Sequence, residues 1–346
     1  PEQTTTIIED IKVSLGRTGA LTPYAVLKPV RIAGSLVKRA TLHNEDEIKR
    51  KNLKIGDTVI IQKAGDIIPE IVRPLKNLRT GSEKNFIMPK ICPICGGKVV
   101  KPQGEAIARC ENSKCWAIEK EKIIHFVSKD AFNIEGMGEQ IVEQFIENGL
   151  IKDTSDIFNL KREDLEGLDR WKEKLATKII NSINSHKEVT LSKFIYSLGI
   201  RHVGIQTANV LSSIFNSIDA LANAPIDKLL SVSDIGPVAS RSIYNWFKNT
   251  DNKRLLTNLF NSGIVIKQIK KSSELKGKNF VITGSLEKSS REDLEEVIRL
   301  HGGNASSSVS LKTDFLILGS NPGSKYEKAQ NLGVRIITEE DFLKMI

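Results

Sequence analysis

The sequence predicts a multidomain α+β chain in four parts: a small β-barrel, a four-cysteine metal module, an all-α array of helical hairpins, and a closing α/β domain. Three observations carry this. An apolar residue followed by a hairpin position recurs as Met137-Gly138, Trp171-Lys172, Val203-Gly204 and Ile235-Gly236, a nearly fixed repeat that marks one supersecondary unit used several times. All four cysteines fall between positions 92 and 115. The hydrophobic pattern is strand-like before about residue 78, helical through the middle, and alternates between strands and helices beyond residue 271.

Composition narrows the class. Among 346 residues, 51 Lys and Arg stand against 42 Asp and Glu, a net charge of +9. That excess suits a polyanionic partner, the alternative being a basic soluble protein with no nucleic-acid role. No apolar run reaches membrane-spanning length, and Pro1-Glu-Gln-Thr-Thr-Thr6 is not a signal peptide. Clustered cysteines indicate a metal site in a reducing compartment rather than a disulfide framework, so the expectation is a cytoplasmic protein with no membrane association.

Residues 1–78 read as the barrel. Strands are expected at Thr4–Ser14, Pro23–Leu27, Val30–Arg39, Asp57–Lys63 and Ile67–Arg73, with a short helix from Asn44 ending before Gly56 and a hairpin around Ala64-Gly65-Asp66. Five strands and one helix in this length suit a Greek-key barrel of the OB type. Residues 79–122 form the metal module. Cys92-Pro-Ile-Cys95 and Cys110-x4-Cys115 supply two thiolate pairs, which match tetrahedral structural zinc; two disulfides or free buried thiols are the alternatives. His125, beyond the last cysteine, reads as surface or core.

Residues 123–270 hold the array. Each unit reads as two short helices joined by a tight hairpin. Glycine lets the backbone turn with positive φ, so that successive amides open the second helix and, with its dipole, suit a phosphate oxygen. Ala208 and Ala239 follow their glycines closely, small enough for helices to cross. One such hairpin would fit a plain helical bundle; four in a basic chain point to gripping the backbone of duplex DNA without reading bases. Lys172 stands where the second hairpin would carry glycine, and lysine does not favour positive φ. Arg201 and His202 in the third hairpin read as a solvated turn or as a phosphate contact.

Residues 271–346 follow a linker at Lys270-Lys-Ser-Ser-Glu274. Strands are expected at Asn279–Thr283, Phe315–Leu318 and Val334–Ile337, with helices at Arg291–His301, Tyr326–Leu332 and Glu339–Lys344, which implies a small parallel sheet. Gly302-Gly303 reads as a helix C-cap.

With these motifs in hand, the chain resembles the bacterial NAD-dependent DNA ligases over essentially its whole length. The barrel carries Gly16-Arg17-Thr18-Gly19, Leu21-Thr22-Pro23, Arg39-Ala-Thr-Leu-His-Asn44, Ile55-Gly-Asp57 and Ala64-Gly-Asp-Ile-Ile-Pro69. The array carries Phe132-Asn-Ile-Glu-Gly-Met-Gly138, Leu198-Gly-Ile-Arg-His-Val-Gly204 and Ser233-Asp-Ile-Gly236-Pro, similar to that family's helix-hairpin-helix motifs. The last domain, with Lys278-Asn-Phe-Val-Ile-Thr-Gly284 and Gly323-Ser-Lys-Tyr-Glu-Lys-Ala329, resembles a BRCT domain.

The resemblance implies roles. Arg17 and Thr18 would touch the DNA backbone near a nick, and Lys63, Ile67 and Ile68 would meet the minor groove. Lys63 stands where the family has arginine, which removes a bidentate phosphate contact. Gly138, Lys172, Gly204 and Gly236 would face phosphates, and Thr283, Gly284 and Lys325 would occupy the phosphate-holding places of phosphopeptide-binding BRCT domains. Cys92, Cys95, Cys110 and Cys115 would hold structural zinc.

The family's nucleophilic lysine, in Lys-x-Asp-Gly within an adenylation domain, has no counterpart here, since that pattern is absent from these residues. Pro1-Glu2 resembles the segment just after that domain. The expectation is therefore the DNA-clamping C-terminal part of a ligase, monomeric, partnered by nicked duplex DNA and by an adenylation domain on the same or a separate chain. NAD and magnesium would enter only with that domain, and these residues alone would not seal a nick. The rivals are a non-enzymatic DNA-structure-binding protein and a repair scaffold recruited through its last domain.

Overall fold

A computed structural model describes residues 2–64, 68–168, 171–267 and 274–346. Backbone contacts divide it into two units, Pro1–Ser128 with Glu135–Ile179, and Lys129–Ile134 with Ile180–Ile346.

In the first unit, strands β1 (Gln3–Leu15), β2 (Leu21–Ile32) and β3 (Ser35–Thr41), helix α1 (Glu45–Lys51), and strands β4 (Thr58–Ala64) and β5 (Ile68–Pro74) close a barrel of order β1-β2-β3-β5-β4. The long β1 makes closure possible: Gln3–Ile7 pairs with β4, and Ile8–Leu15 with β2. Strand β2 alternates, with Leu21, Pro23, Ala25 and Leu27 turned inward, as expected of a strand with one face in a core. Helix α1 starts where the sequence placed it, because the Asn44 side chain accepts the Glu47 amide. It stops at Asn52, which takes a left-handed conformation.

One expectation needs correction. The segments Pro23–Leu27 and Val30–Arg39 are not two strands; β2 runs through to Ile32 with an irregularity between Val26 and Val30. The chain reverses at Ala33-Gly34, both at positive φ (43° and 74°), the requirement of a two-residue hairpin turn. Alanine in the first turn position concealed it.

A buried ion pair secures the barrel's rim. Asp57, 1% exposed, accepts the Lys54 amide at 2.8 Å and both nitrogens of a fork from Arg79, at 2.7 and 2.8 Å. Nearby, Lys84–Asn85 pairs antiparallel with Lys54–Ile55, and Phe86 packs on the barrel core. Removing the guanidinium strands a buried charge, so Arg79→Ala is expected to lose ~3 kcal/mol of stability in chemical denaturation. A loss below about 1 kcal/mol would mean that water replaces the arginine.

Beyond the barrel, short strands β6 (Val99–Val100) and β7 (Arg109–Cys110) pair antiparallel, and helices α2 (Trp116–Val127), α3 (Glu139–Glu147) and the part of α4 (Glu173–Ser185) up to Ile179 complete the first unit.

The second unit contains β8 (Glu188–Thr190), helices α5 (Leu191–Ser197), α6 (Ile205–Ile214), α7 (Pro237–Lys248) and α8 (Thr250–Asn261), and β9 (Val265–Lys267), which lies parallel to β8. It continues with β10 (Asn279–Thr283), α9 (Arg291–Leu300), β11 (Asn304–Ser306), β12 (Phe315–Leu318), α10 (Ser324–Asn331), β13 (Arg335–Thr338) and α11 (Glu339–Leu343). The last four strands form a parallel sheet of order β11-β10-β12-β13. Both faces are covered: Phe280 and Ile282 pack with Leu294, Ile298 and Phe342, while Val281 and Leu316 pack with Ala329 and Val334. Strands β8, β9 and β11 are additions to the sequence reading; each has three residues and two of them are largely polar. Gly302 takes φ 84° just past α9, the expected C-cap. The linker expected from Lys270 lies outside the described residues up to residue 273.

Candidate nucleic-acid interface and zinc centre

The four cysteines converge. Their sulfurs all lie within 4.8 Å of one another, none is in a disulfide, and three of the four residues are buried. Cys95 Sγ and Cys110 Sγ are 3.6 Å apart, close to the ~3.8 Å edge of a tetrahedron with Zn–S of ~2.3 Å. The donor set therefore fits zinc with no open position. Backbone folding explains the knuckle: the Gly96 amide donates to Cys92 O at 3.0 Å, and Cys92 N donates to Gly97 O at 2.7 Å. Gly96 itself sits at φ 70°, where glycine is favoured. The Asn112 side chain and the Gly97 amide hold the Cys95 thiol down to about 6, whereas burial pushes Cys110 up to about 12 and raises Cys115 as well. Bound zinc would keep all four as thiolates, offsetting that burial.

The barrel turn Gly16–Gly19 lies against this module. Arg109 Nη1 donates to Thr18 Oγ1 at 2.9 Å and to Thr18 O at 3.2 Å. Arg17 is half-buried, with Nη1 3.1 Å from His125 Nδ1. Arg109 was not nominated from sequence, although its place beside Cys110 was a signal. His125, read as surface or core, is 8% exposed and faces the turn. At the other barrel hairpin, Lys63 Nζ donates to Ser35 Oγ at 2.8 Å, and Ile68 is 56% exposed, so it is not strand core. Ile67 lies outside the described residues.

The hairpins share one register in both units. Met137, Trp171, Val203 and Ile235 are buried, the following residues Gly138, Lys172, Gly204 and Gly236 are exposed, and Val142, Ala176, Ala208 and Ser240, four positions further on, are buried again. Gly138, Gly204 and Gly236 are the N-caps of α3, α6 and α7.

Two expectations are corrected here. These glycines do not take positive φ; they lie at −71°, −93° and −70°, conformations open to any residue. The left-handed residue sits two positions earlier, at Gly136, His202 and Asp234 (φ 90°, 64° and 67°). Lys172, which is not at positive φ, is therefore no misfit in the second hairpin. Nor is Ala239 the close-crossing residue. That position is Ser240, fully buried, with Oγ donating to Leu229 O at 3.1 Å.

If φ does not explain the N-cap glycines, neither does packing. A Cβ added at Gly138, Gly204 or Gly236 would meet nothing within 4 Å. The amides that open these helices (Gly138, Glu139 and Gln140; Gly204, Ile205 and Gln206; Gly236 and Val238) donate to no partner among the described residues. Each of these three glycine hairpins thus presents unsatisfied N–H groups behind an exposed residue without a side chain, the arrangement that admits a phosphate oxygen. Within the first unit, Trp171 Nε1 donates to Gln144 Oε1 at 2.8 Å and its ring stands 5.2 Å from Phe145, so the first two hairpins pack together.

In the last domain the expected phosphate places are mixed. Thr283 is 4% exposed. Gly284, at φ 80°, is glycine for a packing reason: a Cβ there would lie 2.5 Å from Ser320 O. Lys325 opens α10, and burial together with the Arg291 guanidinium depresses its pKa. Burial would raise the Glu339 carboxyl, but the Lys288 amide, Ser289 and the Glu287 amide outweigh it and hold it low, pinning the loop before α9.

A closed five-stranded barrel, a four-thiolate zinc module, paired hairpins and a four-stranded parallel α/β domain define a multidomain protein built from nucleic-acid-handling modules. Family models agree part by part: the NAD-dependent DNA ligase OB-fold domain over residues 5–83, the NAD-dependent DNA ligase C4 zinc finger domain over 92–117, a helix-hairpin-helix motif over 193–256, and a BRCA1 C Terminus (BRCT) domain over 270–346. The chain thus carries two domains whose models are specific to the NAD-dependent DNA ligase family. It is 46% identical over 351 residues to a DNA ligase of Halothermothrix orenii and 43% identical over 348 residues to one of Geobacter sulfurreducens, in each case covering 100% of this chain and 52% of the relative. A DNA ligase of Coxiella burnetii is 46% identical over 344 residues, covering 99% and 51%. The chain thus spans about half the length of the curated relatives it matches. Among the described residues, no helix is long and apolar enough to cross a membrane.

Proposed function

We propose that this chain is the DNA-clamping C-terminal part of an NAD-dependent DNA ligase that seals 5′-phosphate/3′-hydroxyl nicks in duplex DNA in replication and repair. The observation that carries the reading is the set of N-cap glycines that neither φ nor packing demands, each beside free helix-opening amides. Backbone amides suit phosphates and carry no base information, so the grip is blind to sequence. The barrel adds Arg17, Thr18 and Lys63, with Ile67 and Ile68 toward the minor groove, and Lys172 replaces the second hairpin's glycine with a charge. Thr283, Gly284 and Lys325 are the phosphate-holding residues of the last domain.

The protein acts as a cytoplasmic, nucleoid-associated monomer. The reacting lysine, NAD and magnesium belong to the adenylation domain, supplied upstream or as a separate chain. Binding of the chain to labelled nicked duplex, titrated over a range of salt, tests the clamp. Two or more phosphate contacts give at least a roughly tenfold loss of affinity for a ~fourfold rise in salt. A flat response overturns the reading. Nick sealing that appears only on adding an adenylation domain and NAD separates a ligase part from an independent DNA binder.

A further inference from the structure

We infer that the zinc module and the helix after it aim the barrel's Gly16–Gly19 turn at DNA, with Arg109 and His125 as positioning residues; this rests on Arg17 and Thr18 being phosphate contacts. The five residues between β1 and β2 would ordinarily be set by the hairpin itself. Here the module grips it from outside. Cys110 N donates to Gly19 O at 2.9 Å and Leu21 N to Ala108 O at 2.9 Å, so strand β7, which carries a zinc ligand, continues the barrel's own ladder.

Gly19 sits at φ 75°, and a Cβ there would fall 2.8 Å from Cys110 O. Leu15 and Leu21, at the two ends of the turn, share one apolar cluster with Cys92, Cys110, Cys115 and Ile118. The turn and the zinc site are thus one packed body.

Two side chains complete the grip. The two bonds from Arg109 hold Thr18 by hydroxyl and carbonyl together, which fixes its rotamer. His125 holds Arg17 through an imidazole nitrogen, and only an unprotonated Nδ1 can accept that bond. The choice of partner matters electrostatically. Glu121 lies near enough to feel the Arg17 charge without forming an ion pair with it, and the Arg17 Nε is buried with no hydrogen-bond partner. A guanidinium oriented by an imidazole nitrogen keeps more of its charge for an outside anion than one clamped by a carboxylate.

The test is nicked-duplex binding against salt for single and paired variants, with zinc content measured on each. Arg17→Ala is expected to lower the salt slope by about one unit. His125→Leu should reproduce most of that drop with zinc retained, and add little in the Arg17→Ala background; Arg109→Ala, which acts through Thr18, should lower affinity as Thr18→Val does and add little to Thr18→Val. His125→Gln, whose amide oxygen can still accept from Arg17, should keep the native slope, and Arg109→Lys should restore part of the affinity lost in Arg109→Ala. A His125→Leu loss that adds to Arg17→Ala, a native slope in His125→Leu, or an Arg109→Ala loss that adds fully to Thr18→Val overturns the positioning role. A native slope in Arg17→Ala alone removes the phosphate contact and the inference with it. Should Arg109→Ala lose zinc, the His125→Leu and His125→Gln pair decides by the same criteria.

Discussion

Cys110→Ser is expected to bring bound zinc from one ion per chain to a small fraction, and to unfold the module between residues 92 and 115. Thiolate zinc sites of this kind contribute ~10–16 kcal/mol of apparent folding free energy at neutral pH, and three ligands around a buried serine recover little of it. Damage should spread to the barrel, because Leu15 and Leu21 pack in the same cluster as the ligands and β7 extends the β1–β2 ladder. Metal analysis and circular dichroism check both. Chelation of the native protein should give the same partly unfolded species, and readdition of zinc should reverse it. Retention of the barrel turn, measured by unchanged protection of the Leu21 and Cys110 amides from exchange, would mean that the barrel needs no support from the metal.

Substituting aspartate at Gly138 or Gly236 should separate stability from binding. Both glycines are N-caps in extended backbone with open space where a side chain would go. Aspartate is among the favoured N-cap residues, so thermal unfolding should stay put or rise by a few tenths of a kcal/mol. The new carboxylate would stand in the path of a phosphate, and affinity for nicked duplex should fall on the order of tenfold, alike for every duplex sequence. Fluorescence anisotropy on several duplexes measures this. A lowered melting point with intact affinity would identify the glycines as structural after all, and loss confined to one sequence would contradict backbone recognition.

Much of this was legible in advance. Cys92, Cys95, Cys110 and Cys115 were readable because metal ligation needs fixed residue types at short spacing. Most of the barrel's strands and the closing parallel sheet followed from β-branched runs cut by glycine and proline, but not the order in which the barrel strands pair. The hairpin register showed in the recurrence of a buried apolar residue before an exposed one. What stayed hidden was conformational or long-range. Positive φ fell on His202 and Asp234, which a sequence reader has no cause to prefer over the neighbouring glycine. Ala33 disguised a hairpin turn for the same reason. Arg109 and His125 reach residues 17 and 18 across some ninety and more positions, a proximity that no local pattern encodes. Strand β11 is too short and polar to announce itself.

One detail of the hairpins bears on ancestry. In the first and third, a second left-handed residue, Asn133 or Gly199, stands five positions before the N-cap, whereas Gly167 and Ser231 occupy that place in the second and fourth with φ of −79° and −81°. Odd members match odd and even match even, as they would had a doublet rather than a single hairpin been copied. An ancestor with a single doublet would already have owned a working half-grip, and doubling it would have multiplied hold on a polymer without inventing a new contact.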